Sequence, residues 1–268
     1  MSFGGYVLSR LKIEFTTDNQ SFSFRKSSNM HGLLMQILSS EYCEKLHSMQ
    51  PVPCSQYLDL GEKKFWIITG LTDEAYHNVV EPVLNIRDSE FQLDDGSSLK
   101  FVSRELKLGS KKEIVERFYD TSSESDRSVT LEFLTPASFK SASRYVNLPD
   151  MRLLYQSWMN RFTAASDMEM FDAGTLQQLT DSTVITAYRL RSEYFPLEQV
   201  RIPGFTGRMT FRINGPATMI RYARMLAEFG EYSGVGIKTF LGMGAVRMVQ
   251  HGGGASGGKT GHQEQGRE

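Results

Sequence analysis

A histidine that closely follows two basic residues is the strongest candidate for chemistry in this sequence. His31 follows the segment FRKSSNM and comes one residue into a predicted helix. A helix N-terminus favours neutral imidazole, which is the form that a general base requires. Arg25, Lys26 and Ser28 are close enough in sequence to stabilise negative charge on a reacting group. A lone histidine is also common as a structural or solvated residue, so the residues alone leave both interpretations open.

A second candidate is the glycine-rich, basic segment GVGIKTFLGMG, which runs from Gly234 to Gly244. It follows a predicted helix and precedes a predicted strand. P-loops and Rossmann turns have the opposite order, strand to glycine turn to helix, so that phosphate meets a helix N-terminus. The order therefore argues against a nucleotide cradle. It leaves a tight passage from helix to strand, or main-chain N–H groups that approach RNA phosphates beside Lys238 and Thr239.

The pattern of apolar residues predicts six elements in residues 1–125, helices from one apolar face and strands from alternation. They are a strand at Gly5–Phe15, a helix near Met30–Tyr42 with Ser28 or Asn29 as N-cap, strands at Gln56–Leu60 and Lys64–Thr69, a helix through about Val83 with Thr72 or Asp73 as N-cap, and a strand near Leu99–Lys107. This β-α-β-β-α-β order is that of a ferredoxin-like domain.

Residues 126–250 repeat the same order of elements without repeating the sequence. The predicted elements are a strand from Ser128, a helix at Asp150–Ala164, strands at Val184–Phe195 and Arg208–Ile213, a helix at Pro216–Phe229 with Gly230 as its C-cap, and a strand at Ala245–Val249. The sequence thus predicts an α+β protein with two tandem ferredoxin-like domains, divided at the polar segment DTSSESDRS. Residues 251–268 are Gly-rich and polar, which is typical of a flexible tail or of a linker to a further domain.

Composition sets limits on the class of protein. Of the 268 residues, 40% are hydrophobic and 23% are charged, which is ordinary for a folded soluble protein. No apolar run suits a signal peptide or a membrane span. The two cysteines, Cys43 and Cys54, have no zinc-site spacing and are consistent with a reducing cytoplasm. The net charge of −1 gives no indication of nucleic acid, although basic residues, mostly arginine, outnumber acidic ones in residues 129–250. No metal or cofactor motif is present.

Two stretches of the second half together resemble a known family. One is the strand LEFLTPASFK followed by LPDMRLLYQSWMNRF, and the other is GFTGRMTFRI followed by a helix and GVGIKTFLGMGAV. The combination resembles the CRISPR-associated endoribonucleases that cut precursor CRISPR RNA, members of the repeat-associated mysterious protein superfamily. The resemblance covers most of residues 1–249 and is strongest from about Val129 to Val249.

The resemblance implies two tandem ferredoxin-like domains that bind CRISPR repeat RNA along and between them. It implies metal-independent cleavage without a cofactor, in which a ribose 2′-OH attacks the adjacent phosphate and leaves a 2′,3′-cyclic phosphate and a 5′-OH. His31 matches the catalytic histidine of many members, with Lys26, Arg25 and Ser28 as candidate partners. The residues predicted to contact RNA are Gly234, Gly236, Lys238, Thr239, Gly242, Gly244, Arg144 and Arg208. Other CRISPR effector or adaptation proteins are further partners that the resemblance allows.

The sequence departs from the family pattern near His31. Some members carry a lysine about two turns after the histidine, where this chain has the segment ILSS and no lysine before Lys45. Some carry a tyrosine in the upstream loop, and TTDNQSFSFRKSS has none. A non-catalytic relative that holds CRISPR RNA in an effector complex is therefore the alternative function. An unrelated ferredoxin-like enzyme acting on a small molecule is the third.

Overall fold

Alternating apolar residues form the central strand of a first antiparallel sheet. The computed structural model describes residues 7–119, 127–166, 172–197 and 200–249. The strands of the first sheet are β1 (Val7–Thr17), β2 (Cys54–Leu60), β3 (Lys64–Gly70), β4 (Glu90–Gln92) and β5 (Ser98–Ser110), in the order β2-β3-β1-β5-β4. Leu11, Ile13 and Phe15 of β1 are buried in the core of this half, as the period-2 pattern requires.

The first half also contains several helices. They are α1 (Ser27–Ile37), α2 (Ser40–Ser48), the continuous succession of α3 (Asp73–Ala75), a π-helical turn (Tyr76–Val80) and α4 (Glu81–Asn85), and then α5 (Lys111–Tyr119). Thr72 caps α3 as predicted, because its side chain accepts a hydrogen bond from the N–H of Ala75. Met30, Leu33 and Leu34 bury the predicted apolar face of α1.

The predicted bounds and N-cap of the first helix are wrong. The helix begins at Ser27, where a preceding 3-10 turn (Phe24–Lys26) leads directly into it, and Lys26 occupies the cap position without a side-chain cap bond. It ends at Ile37 because Leu38 is extended, and Ser39 then caps a separate helix by accepting from the N–H of Tyr42. Because the hydroxyl of Ser39 can cap a new helix, two helices form in a region that was predicted as one.

The second half forms a separate antiparallel sheet of four strands. Its elements are β6 (Ser128–Ala137), a small hairpin of β7 (Phe139–Ser141) and β8 (Arg144–Val146), α6 (Met151–Ala165), α7 (Ala173–Ser182), β9 (Thr183–Leu197), β10 (Val200–Ile213), α8 (Ala217–Ser233) and β11 (Val246–Met248). The sheet order is β11-β6-β10-β9. Asp150 caps α6 by accepting from the N–H of Leu153.

Gly230 is not the C-cap that the sequence predicts. Helix α8 continues through it to Ser233, and Gly234, with φ of 66°, ends the helix. The reason for a glycine at 230 is packing, since a Cβ there would lie 2.5 Å from Nε1 of Trp158 on α6. The glycine therefore permits two helices to approach closely.

Both halves have the strand order 4-1-3-2 of ferredoxin-like domains, counted along each βαββαβ unit. The chain is therefore an α+β protein with two tandem ferredoxin-like domains, as predicted. Most of the predicted boundary segment, residues 120–126, and all of the predicted tail, residues 251–268, lie outside the described residues, so the limits 1–125, 126–250 and 251–268 stay predictions. No helix in the described part of the chain is long and apolar enough to cross a membrane.

The two domains share buried surface rather than lying apart. Leu8, Leu71 and Ile114 of the first half belong to the core of the second domain, while Phe240 of the second half belongs to the core of the first. The hydroxyls of Ser55 and Thr69 each lie 2.7 Å from the carbonyl oxygen of Tyr232 and donate to it. These contacts join the two domains at the end of α8 and within the glycine-rich segment that follows it.

Candidate active site

His31 lies at the junction of the two domains. It is the fifth residue of α1, and its imidazole contacts the ring of Phe240 from the glycine-rich loop, here defined as residues 234–244. The ring centroids are 4.9 Å apart and the planes are nearly perpendicular, at 85°. The Nδ1 atom is buried and has no hydrogen-bond partner among the described residues. The structure thus joins the two segments that the sequence singled out, over 200 residues apart.

Burial controls the protonation of His31. Desolvation lowers the pKa of the imidazole from 6.5 to about 4, which outweighs a smaller upward effect of the main chain of Phe240. His47 on α2 lowers the pKa slightly further. The imidazole is therefore neutral at pH 7, the form expected from the sequence. The main cause, however, is desolvation, and the expected effect of the helix N-terminus is not needed to explain it.

The three predicted partners of His31 have different surroundings. The ammonium of Lys26 pairs with the carboxylate of Asp95 from the loop between β4 and β5. Arg25 is exposed and makes no ion pair in the part of the chain that the structure describes. Ser28 is three residues before His31, so both side chains lie on the same face of α1. Arg25 and Ser28 are thus open to a ligand, whereas Lys26 would first have to leave Asp95.

The glycines of the loop serve close packing inside the protein. A Cβ at Gly236 would lie 2.2 Å from the carbonyl oxygen of Ser138, and one at Gly244 would lie 2.0 Å from that of Val235. Both glycines have positive φ, 77° and 65°. The loop's backbone therefore forms the tight passage from helix to strand that was one of the two interpretations of the sequence. Its close packing does not depend on RNA.

Only a short part of the loop keeps its hydrogen-bond donors free. Among the described residues, the N–H groups of Lys238, Thr239 and Phe240 have no acceptor, whereas the N–H groups of residues 241–245 donate within the protein. Lys238 is the one exposed side chain between residues 234 and 244, and its backbone is left-handed, with φ of 56°. Thr239 is buried, so Lys238 is the loop's outward charge.

The two predicted arginines lie at different places. Arg144 is exposed at the tip of the β7–β8 hairpin. Arg208, on β10, donates to Glu132 on β6 through Nε and Nη2, both at 3.0 Å. Arg247 on β11 binds the other oxygen of Glu132 at 2.7 Å, and Arg189 is paired with Arg208 across β9. Two arginines thus bind one carboxylate, and the third lies beside them in the same row of the sheet.

Several residues that support the site were not identified from the sequence. Gln56, on β2, donates to the carbonyl oxygen of Ser27 at 3.1 Å and accepts from the indole of Trp66 at 2.7 Å. Arg161, on α6, is 9% exposed and donates to the carbonyl oxygen of Gly236 at 3.3 Å. Burial lowers the pKa of this guanidinium to about 10. The sequence carries no signal for either residue, because a polar residue in an amphipathic pattern is usually assigned to the solvent-exposed face.

Comparison with known proteins identifies the family of the chain from its sequence. Residues 131–246 match the family model of the CRISPR-associated endoribonuclease Cas6. A Streptococcus thermophilus protein of that name is 37% identical over 223 residues, which are 82% of this chain and 90% of the relative. One from Mycobacterium tuberculosis is 34% identical over 247 residues, 90% of this chain and 78% of the relative.

Solved structures agree in fold. A Cas6 product complex superposes with a TM-score of 0.75 at 18% identity, covering 91% of this chain and 100% of the other. Thermus thermophilus Cas6 superposes with a TM-score of 0.70 at 21% identity, covering 91% and 99%. Since the identity to the two relatives extends over most of both sequences, the chain belongs to the CRISPR-associated endoribonuclease Cas6 family.

Proposed function

We propose that this protein cleaves CRISPR repeat RNA without a metal ion, and that His31 is its catalytic base. The observation that carries the proposal is the neutral imidazole held at the domain junction against the glycine-rich loop, in a chain of this endoribonuclease family. The ribose 2′-OH would lose its proton to His31 and attack the adjacent phosphorus. The bond from phosphorus to the 5′-oxygen would break, leaving a 2′,3′-cyclic phosphate and, after protonation, a 5′-OH.

The low pKa of His31 favours the base role over the acid role in the free protein. With a pKa of about 4, the imidazole carries no proton to donate at pH 7. A phosphate bound nearby would raise this pKa, because an opposite charge within a few ångströms stabilises the imidazolium. RNA binding would thus bring the pKa of His31 toward the range in which general catalysis contributes roughly 10²–10⁴-fold.

Charge on the scissile phosphate needs stabilisation by nearby donors. Arg25 is the strongest candidate, because it is exposed and unpaired in the described part of the chain. Its planar fork can bind two phosphate oxygens at once. Ser28 would donate a hydroxyl from the same face of α1 as His31. Lys26 would contribute only if the phosphate displaced it from Asp95.

The remaining RNA would follow the basic surface of the second domain. Lys238 and the free N–H groups beside it would hold a phosphate near His31. The four loop glycines, Gly234, Gly236, Gly242 and Gly244, would act by allowing this loop conformation rather than by touching RNA. Arg208 would contact the backbone from the sheet face and Arg144 from the β7–β8 hairpin.

The test is single-turnover cleavage of a repeat RNA in EDTA. Wild-type protein should cut one phosphodiester and yield a 2′,3′-cyclic phosphate. The same RNA with a 2′-deoxyribose at the cut site should bind equally well and stay intact. His31→Ala should bind RNA normally and lose at least 100-fold in rate. Equal cleavage by wild type and His31→Ala would remove His31 from the mechanism, and cleavage only with added metal would remove the metal-free chemistry.

The alternative function is that of a relative that binds CRISPR RNA without cleaving it, and the same assay distinguishes it. It draws support from the pairing of Lys26 with Asp95 and from the fact that Lys45, the next lysine after His31, pairs with Glu74. In that case the protein would bind repeat RNA tightly and with strong salt dependence, but no cyclic phosphate would form. Lys238→Asn, a substitution that tolerates the left-handed backbone, should weaken RNA binding under either function, whereas Lys238→Arg should not.

A further inference from the structure

The side chain of Phe240 crosses from one domain into the other. It is 8% exposed and packs in the core of the first domain, although it belongs to the chain of the second. Its ring meets the imidazole of His31 almost at right angles, with the centroids 4.9 Å apart. An aromatic ring in this arrangement restricts the rotation of its neighbour and keeps water from that side.

The loop that carries Phe240 is fixed on both sides. The N–H groups of Ile237 and Gly244 donate to the carbonyl oxygens of Ser138 and Pro136, at 3.0 and 2.9 Å. The N–H groups of Leu241 and Met243 both donate to the carbonyl oxygen of Lys238, at 3.0 and 3.2 Å. Phe240 therefore lies within a closed turn whose ends are bonded to the second domain.

The same loop contacts helix α1 a second time. Gly242 has φ of 106°, and a Cβ there would lie 2.4 Å from Cβ of Ser27 and 2.7 Å from its Oγ. Ser27 is fully buried and begins α1. The loop thus meets α1 at its first residue and, through Phe240, at His31, one turn later. Two contacts fix the orientation of the loop relative to the helix, whereas a single contact would still allow the loop to rotate about it.

We propose that Phe240 is a positioning residue for His31, through which the second domain holds the imidazole in the orientation needed for cleavage. The inference rests on the proposed function in taking His31 as the base. Lys238 precedes Phe240 by two residues in the same closed turn. A phosphate held by Lys238 is therefore placed relative to His31 by the turn itself, so that binding in one domain and catalysis in the other share one rigid segment.

The test compares Phe240→Leu with Phe101→Leu. Phe101 is 6% exposed and belongs to the same core, but its ring contacts are with Trp66 and Phe91. The two variants thus remove similar packing, but only Phe240→Leu removes the ring contact with His31. Phe240→Tyr keeps the ring and serves as the conservative variant. Each protein is titrated by NMR of labelled histidine, and its RNA affinity and single-turnover rate are measured in EDTA.

Phe240→Leu should raise the pKa of His31 from about 4 toward 6.5, because the imidazole gains water. The single-turnover rate should fall about 10-fold or more through lost orientation, with RNA affinity changed less than about threefold. Phe240→Tyr should restore most of the rate, and Phe101→Leu should leave the pKa of His31 and the rate near wild type. No charged group changes in any variant, and His47, Asp94, Arg25, Lys26 and Lys238, the titratable side chains on the elements around His31, stay in place.

The proposal is overturned if Phe240→Leu leaves the pKa of His31 unchanged, or if its rate matches that of Phe101→Leu. Failure of the proposed function looks different, because His31→Ala would then cleave like wild type or wild type would not cleave at all. In that case the NMR titration still decides whether Phe240 sets the environment of His31. Gly242→Ala gives an independent check, since a displaced loop should reproduce the pKa change of Phe240→Leu.

Discussion

At the scale of single residues, the proposed site combines a desolvated imidazole with cations that differ in whether a carboxylate already pairs with them. His31 is neutral because its surroundings desolvate it. Lys26 is the opposite case, since its charge is compensated by Asp95. On the proposed function, a bound RNA phosphate would change both groups, because it would favour the imidazolium form of His31 and would compete with Asp95 for Lys26.

The pKa of His31 makes folding stability depend on pH. The unfolded histidine titrates near 6.5 and the folded one at about 4, so below pH 6.5 the unfolded state binds the additional proton. Stability from this residue is full above pH 6.5 and is lost as pH falls to about 4, by at most about 3 kcal/mol. Urea unfolding at pH 7.5, 5.5 and 4.5 should show a steeper decline for wild type than for His31→Gln. Parallel curves would contradict a depressed pKa.

The pair of Lys26 and Asp95 gives a second test at this scale. Asp95→Asn should increase RNA affinity severalfold at low salt, since it frees Lys26 and removes a negative charge. Lys26→Ala should lower affinity. If Lys26 contacts RNA once released, the gain from Asp95→Asn should shrink in the Lys26→Ala background. Filter binding of all four proteins measures this coupling, and full additivity would indicate that Lys26 does not touch the RNA.

At the scale of elements, glycines set how closely helices and loops approach one another. Gly230 allows α8 to pack against Trp158 of α6, and Gly242 allows the loop to reach Ser27. Neither function is visible from local pattern, because a glycine near a helix end is usually a C-cap. For this reason the predicted end of α8 at Phe229 is wrong, and the helix continues for about one more turn to Ser233.

Gly230 and Gly32 should respond oppositely to alanine. Both lie inside helices, where alanine is favoured over glycine by about 1 kcal/mol. A Cβ at Gly230 would meet the Trp158 ring at 2.5 Å, whereas one at Gly32 would meet only Oδ2 of Asp94, at 3.4 Å. Gly230→Ala should therefore destabilise by roughly 1–3 kcal/mol, and Gly32→Ala should be neutral or stabilising. The midpoints of urea unfolding measure both effects. An increased stability of Gly230→Ala would show that the indole of Trp158 moves aside without cost.

At the scale of the whole molecule, the two domains are built as one unit around the site. Each contributes buried side chains to the core of the other, and Ser55 and Thr69 bind the carbonyl oxygen of Tyr232 across the junction. The proposed active site lies between the domains and would need such rigidity, because a shift of about 1 Å in a reacting group can cost on the order of 100-fold in rate.

The two tryptophans can report whether the domains unfold together. Trp66 is fully buried in the first domain and Trp158 in the second. In Trp66→Phe and in Trp158→Phe, the fluorescence of the remaining indole should follow the same urea transition as far-UV circular dichroism. Coincidence is expected because the cores are shared. Separated transitions in either variant would show that the domains are independent and that the junction is weak.

The sequence by itself determined the two folds and the candidate base. Alternating strands and one-sided helices report burial directly, so the β-α-β-β-α-β order could be read twice. The order of helix, glycines and strand also excluded a nucleotide cradle around Lys238. His31 stood out because basic and hydroxyl residues precede it in the chain.

Only the tertiary structure decided how these parts meet. The packing of Phe240 on His31, the pairing of Lys26 with Asp95, and the support from Gln56 and Arg161 all join residues far apart in sequence. Local pattern carries no signal for such contacts, because period and propensity describe neighbours along the chain. The environment of His31, and hence its pKa, is set by a loop from the other domain, and that follows from the packing of the two domains alone.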